Sequence, residues 1–197
     1  MAGGPLGDER FAELLERIAA REPAPGGGSA AACALAIAAA LAQMAAAFTL
    51  ARDEYQAKRA RIEEIHARAG ELRREALKLA ERELRSYGGL LEALRLPPSA
   101  PSRADRVEQA RAEAVASPLA LCAAGGEVAE LCAELAREGN PNLKGDAVCG
   151  ALLAEACCWA AGNLVELNLR RAPGDARAVQ ARTLMEQATE ARRRALA

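Results

Sequence analysis

Glu83 is the first residue in this chain that asks for a chemical explanation. Ile62, Ile65, Ala69, Leu72, Ala76 and Leu79 step by three and four, and the next step lands on Glu83. That is the spacing of one helix face, so the pattern asks for an apolar side chain there. A carboxylate on a buried seam is costly unless it is paired or used, and one held away from water is suited to moving protons. The alternative is a helix that bends at this point, with Leu84 turned inward and Glu83 in water. Tyr87 lies one turn further on and can share the same pocket.

The second feature is Pro25-Gly26-Gly27-Gly28-Ser29, which precedes a long alanine-rich run. Glycines let a backbone approach another group closely. A helix start also presents free N–H groups that favour an anion or a polar ring edge. Tight packing of the helix start against a neighbour is the alternative. Asp146 is a further candidate carboxylate, though its place at a helix start also suits a cap. Asn163 and Asn168 are candidate amides on the same helix. At ~1.5 Å per residue, Asp146 and Asn168 are about 33 Å apart. They cannot serve one compact site within one subunit, so both are functional only if two subunits complete each site.

Metal and thiol chemistry are disfavoured. His66 is the sole histidine, so the lone Glu63-x-x-His66 cannot furnish the paired motifs of a di-iron bundle. The HxE…PCxxC signature of zinc deaminases is missing. Cys33, Cys122, Cys132, Cys149, Cys157 and Cys158 form no CxxC and lie in apolar helical stretches. They read as small buried residues in a reducing, cytoplasmic setting. No metal site is expected.

The elements that must position these residues are all helical. Hydrophobic residues make up 51% of the 197, much of that alanine, and aromatics only 3%. Clean alternation is absent, and β-branched residues are few. Helices are expected over residues 9–20 capped by Asp8, and 29–50 capped by Ser29. A third runs from a cap at Asp53 to Leu96, where Pro97-Pro98 ends it. A fourth follows Ser102, breaks or kinks at Ser117-Pro118, and stops at Gly139-Asn140-Pro141. A fifth spans 146–170, and Pro173-Gly174-Asp175 opens a polar C-terminal helix.

The expected architecture is a single-domain all-α bundle over residues 1–197, with long central apolar helices. Residues 29–50 carry no charge, and neither do 156–165. A helix apolar all round must be covered all round, which a chain this short does incompletely, so a homodimer is expected. Residues 30–51 are long enough to cross a bilayer, but alanine drives insertion weakly, and no membrane role is expected. The net charge is -1, and no basic stripe carries interleaved aromatics, so nucleic acid is not an expected partner.

The run PAPGGGSAAACALAIAAALAQMAAAFT resembles the opening motif of the formiminotetrahydrofolate cyclodeaminase / methenyltetrahydrofolate cyclohydrolase family. The resemblance continues in order through Glu83-Leu84-Arg85-Ser86-Tyr87, Ala93-Leu94-Arg95-Leu96-Pro97, Gly139-Asn140-Pro141-Asn142 with Gly145-Asp146, and Asn163-Leu164-Val165-Glu166-Leu167-Asn168. Glu83 stands where the family usually has Asp, and Gly145 where it usually has Ser.

The resemblance implies an all-α, usually dimeric enzyme acting on tetrahydrofolate that carries a one-carbon unit. One branch closes 5-formiminotetrahydrofolate to 5,10-methenyltetrahydrofolate with release of ammonia. The other opens methenyltetrahydrofolate to 10-formyltetrahydrofolate. A third possibility is a folate-binding helical dimer without turnover. By the resemblance, Glu83 and Asp146 are the catalytic carboxylates. Pro25, Gly26, Gly27, Gly28, Ser29, Tyr87, Asn140, Lys144, Asn163 and Asn168 bind substrate. No cofactor beyond the tetrahydrofolate substrate is implied. Lys144, Arg52 and Lys58 are candidates for folate's glutamate carboxylates.

Overall fold

Alanine and glycine set the spacing of this bundle. The computed structural model describes residues 6–7, 9–170, 172 and 174–197. Among these, every regular element is helical: α1 (Phe11–Ala19), α2 (Gly27–Leu50), α3 (Arg59–Arg95), α4 (Arg103–Glu138), α5 (Lys144–Asn168) and α6 (Ala176–Leu196). Short 3-10 turns at Asp53–Lys58 and Pro141–Leu143 lead into α3 and α5. α2 packs along α3 and α5 and touches α4, while α4 also packs on α3, α5 and α6. The inner face of α2 is almost entirely alanine, with Ala32, Ala38, Ala39, Ala42 and Ala46 fully buried around Leu35. On α4, a Cβ at Gly125 would lie 3.0 Å from the Cys158 backbone nitrogen and 3.1 Å from the Ala154 carbonyl. A larger residue there would press α4 and α5 apart, so glycine lets them run close together.

α2 and α5 run antiparallel. The Thr49 hydroxyl, near the end of α2, accepts the Asn140 N–H at 3.0 Å just before α5 begins. A Cβ at mid-helix Gly150 would lie 3.3 Å from the Ala38 carbonyl. The start of α2 and the end of α5 therefore meet at one end of the bundle.

The apolar seam of α3 is buried as its spacing requires, with Ile65, Leu72 and Ala76 fully enclosed. The helix runs unbroken past Glu83. Several local expectations are corrected. Ser29 does not cap α2; the helix starts at Gly27, with Gly26 as its flanking residue and no side-chain cap. Asp53 opens a 3-10 turn, and α3 proper begins six residues later, again without a side-chain cap. α4 continues through Pro118 instead of breaking there. Asp175 caps α6, accepting the Arg177 N–H at 2.9 Å. The expected cap at Asp8, and Pro173, lie outside the described residues.

The central helices are only partly covered. On α2, Ala34, Ile37, Leu41, Met44 and Phe48 follow one helical strip, with Ile37 48% and Phe48 55% exposed. On α5, Cys149, Leu152, Ala156, Trp159 and Asn163 form another, all exposed. Cys149 therefore departs from the expectation of buried cysteines, and Cys33 is half-buried. Both α2 and the stretch Pro141–Asn168 are long and apolar enough to cross a membrane, with mean hydropathy 2.0 and 1.5.

Candidate functional site

The glycine turn and Glu83 meet where α2 begins. Ser29 fastens them together, its buried hydroxyl donating to the Ala80 carbonyl of α3 at 3.1 Å. That bond fixes the α2 start one turn before Glu83. A Cβ at Gly28 would fall 2.1 Å from Glu83 Oε2 and 2.8 Å from Cδ. The missing side chain at Gly28 is thus the space the carboxylate occupies. Glu83 Oε1 is buried and has no hydrogen-bond partner.

Burial pushes the Glu83 carboxyl above its ordinary value, and Glu113 adds a smaller upward push. Ser117 and Arg82 pull the other way. The Ser117 hydroxyl is itself buried without a bond of normal geometry, so it steadies the carboxylate only weakly. Arg82 is largely spent on Glu113, which it grips through two bonds of 2.6 and 3.0 Å. Desolvation wins because no full counter-charge reaches Glu83.

The second wall comes from the proline in α4. Pro118 has no N–H, so the Ala114 carbonyl one turn earlier loses its helical donor. Asn168, at the end of α5, donates its side-chain N–H to that carbonyl at 2.7 Å. The result is a cleft of about 380 Å³ lined by Gly26–Ser29, Glu83, Tyr87, Leu90, Ala114, Pro118, Leu164, Leu167 and Asn168. Tyr87 is half exposed on its rim.

The structure thus brings Gly26, Gly27, Gly28, Ser29, Glu83, Tyr87 and Asn168 together. Pro25 is buried just behind the glycines, outside the cleft wall. The remaining candidates lie elsewhere in the subunit. Asn140 is 5% exposed at the far end of α2, accepting the Asn142 N–H at 3.0 Å and an Arg52 bond at 3.4 Å. It shapes the entry to α5. Lys144 and Asp146 occupy the first turn of α5 at that same end. Asn163 is exposed on the outer strip of α5 and does not line the cleft. Arg52 pairs with Glu54 and Lys58 with Glu138, both far from Glu83 along the bundle. Among the described residues no group of three or more His, Cys, Asp or Glu side chains is placed to hold a metal ion.

Sequence reasoning missed Ser117 and Pro118. The available signal was the Ser-Pro pair inside an otherwise helical stretch. A proline there orphans a carbonyl, which here becomes the anchor for a site residue.

A half-buried carboxylate with one oxygen enclosed and unbonded, facing an open cleft on a rigid helical frame, is the equipment of an acid–base enzyme. The chain belongs to the Formiminotransferase-cyclodeaminase family, which matches residues 10–188. It is an enzyme of the cyclodeaminase/cyclohydrolase group that serves folate one-carbon metabolism. It is 29% identical to the methenyltetrahydrofolate cyclohydrolase of Methylorubrum extorquens, over 83% of this chain and 81% of that protein. It is 30% identical to the formimidoyltransferase-cyclodeaminase of Mus musculus over 83% of this chain, but spans only 31% of the mouse protein. The crystal structure of formiminotetrahydrofolate cyclodeaminase from Thermotoga maritima has the same fold, with a TM-score of 0.84 at 24% identity, covering 96% of this chain and 94% of that one.

Proposed function

We propose that the cleft closes 5-formiminotetrahydrofolate to 5,10-methenyltetrahydrofolate and releases ammonia. The observation that carries this reading is the unpartnered Glu83 carboxylate held against Gly28. N10 attacks the formimino carbon on N5, a tetrahedral carbon forms, and ammonia leaves as the carbon becomes cationic. A carboxylate beside that carbon stabilises the developing positive charge. A carboxyl with a raised pKa also delivers the proton that departing ammonia needs. The carbon keeps its oxidation level, so the reaction calls for no redox cofactor. The free N–H groups of the α2 start face the same cleft and suit a polar pterin edge.

Hydrolysis of methenyltetrahydrofolate is the second reading. The match to the Methylorubrum cyclohydrolase favours it, because that protein is covered over most of its length. Both reactions pass through a tetrahedral carbon between N5 and N10, which bears an amino group in the first and a hydroxyl in the second. Absorbance of the methenyl group separates them. Added to 5-formiminotetrahydrofolate, the protein is expected to raise that absorbance faster than a protein-free blank. No acceleration, with faster decay of supplied methenyltetrahydrofolate, selects the hydrolase. Neither response rejects both.

We further propose that a second copy covers the strips on α2 and α5. A twofold axis perpendicular to these antiparallel helices carries the partner's Asp146 end towards the Gly26–Ser29 end of the first subunit. This is how Asp146 and Glu83 serve one site although Asp146 lies about 33 Å along α5 from Asn168, which lines the Glu83 cleft, at ~1.5 Å per helical residue. The exposed strips carry the large apolar side chains that such an interface buries. Light scattering is expected to show a dimer, and Ile37→Lys to yield monomers with little turnover. A monomer with full turnover, or a wild-type protein that needs detergent to stay dispersed, overturns the shared site.

A further inference from the structure

Forked ion pairs join α3 to α4 in a ladder. Arg61 grips Glu134 through bonds of 2.8 and 2.7 Å, and Arg68 grips Glu127 through bonds of 2.6 and 2.8 Å. The Arg82–Glu113 fork beside the cleft belongs to the same register. Every seven residues along α3 correspond to seven back along α4, as two packed antiparallel helices require. The step between falls on Glu75 and Ala120, which cannot form a pair.

The rung beside the cleft differs from the other two. Arg61 and Arg68 each hold a second carboxylate three residues on along α3, Glu64 at 3.0 Å and Glu71 at 2.9 Å. Three residues on from Arg82 stands Arg85, a like charge. Among the described residues, Glu113 is therefore the one carboxylate bonded to Arg82, and the other acid within its electrostatic reach is Glu83. The Arg82 and Glu113 side chains are 37% and 42% exposed, so the pair adds little to stability. A structural role alone leaves the choice of partners at this rung unexplained.

We infer that Glu113 is a positioning residue for the reaction: it holds the Arg82 guanidinium on α4 and keeps it from neutralising the Glu83 carboxyl beside Gly28. The inference rests on the acid–base reading of the cleft. An arginine paired with Glu83 would stabilise the carboxylate and strip it of the proton that desolvation lets it keep. No other charge sets the balance. α2 carries no charged residue and brings Gly28 and Ser29 to the carboxyl, while Cys33 further along it faces Glu81. α5 brings Leu164, Leu167 and Asn168, and α3 and α4 add the uncharged Tyr87 and Ser117. In the proposed dimer the partner's Asp146 is common to every variant below, so it cancels from the comparison.

Carbon NMR of the carboxyl groups in the ligand-free protein follows Glu83 directly, its signal identified by its loss in Glu83→Gln. Glu113→Gln is expected to lower the Glu83 titration midpoint by about one pH unit, the low end of what an opposite charge at close range does. Arg82→Gln is expected to raise it, because Glu113 then faces Glu83 without its counter-charge. Glu127→Gln removes a rung of the same kind about 21 Å away along α4, at ~1.5 Å per residue, and leaves the midpoint in place. A midpoint that stays put in Glu113→Gln or Arg82→Gln, or that moves as far in Glu127→Gln, overturns the inference. If Glu113→Gln does not fold, the upward move in Arg82→Gln decides alone. The acid limb of kcat/KM is expected to follow the midpoint in each variant. A limb that stays while the midpoint moves overturns the acid–base reading of the cleft instead.

Discussion

Glu83→Gln is expected to lower turnover by about 10²–10⁴-fold, the range typical of a lost acid–base group, while leaving the protein at least as stable as wild type. The two effects have one cause. Glutamine keeps the volume and places an amide where Oε1 is buried without a partner. It removes an ionisable group that the fold keeps from water, and with it the ability to move a proton. Glu83→Asp separates charge from position. It keeps the carboxylate but withdraws it by one methylene, so turnover is retained in part. If Glu83→Gln turns over like wild type, Glu83 is a tolerated buried acid and the chemistry lies elsewhere.

The pH dependence follows from the direction of the Glu83 shift. The folded carboxyl holds its proton above the ordinary value of 4.5. At low pH it is protonated in both folded and unfolded chains and contributes no difference. As pH rises through 4.5 the unfolded chain releases its proton while the folded chain does not, and stability falls until the folded value is passed. The stability gap between Glu83→Gln and wild type is therefore absent at low pH, opens through that window, and stays open above it. The acid limb of the wild-type activity profile is displaced upward from the ordinary carboxylate value for the same reason.

The seam from Ile62 to Leu79 shows why the fold was legible in the sequence. Spacing of three and four defines a helix face, and burial of that face follows whatever the neighbouring helix turns out to be. The glycine turn and Glu83 were legible because each breaks the pattern around it. Their contact was not, because Gly28 and Glu83 are brought together by the register of α2 on α3, which no local spacing encodes. Pro118 does not break α4, and the carbonyl it leaves bare, Ala114, finds a donor in Asn168 on another helix. Ser29 failed as a cap because a tertiary partner, the Ala80 carbonyl, claims its hydroxyl.

Gly28→Ala is expected to cost about a hundredfold in turnover with little change in stability. The backbone of Gly28 has no positive φ, so alanine is accommodated there without strain. Within a helix alanine is favoured over glycine by about 1 kcal/mol, which offsets the crowding it introduces. That crowding falls on the end of one side chain. The new Cβ lands 2.1 Å from Glu83 Oε2 and 3.0 Å from Cγ, so the carboxylate must swing aside while the helices stay in place. Displacing a reacting group by about 1 Å is enough for a loss of that size. Gly88→Ala, where an added Cβ meets nothing within 4 Å, provides the comparison on α3. The decisive measurement is the double variant. If Gly28 matters only through the position of Glu83, Gly28→Ala costs almost nothing further once Glu83→Gln is in place. Independent, multiplying losses would instead mean that Gly28 touches the substrate directly, and that the glycine turn was shaped by the ligand instead of by the acid beside it.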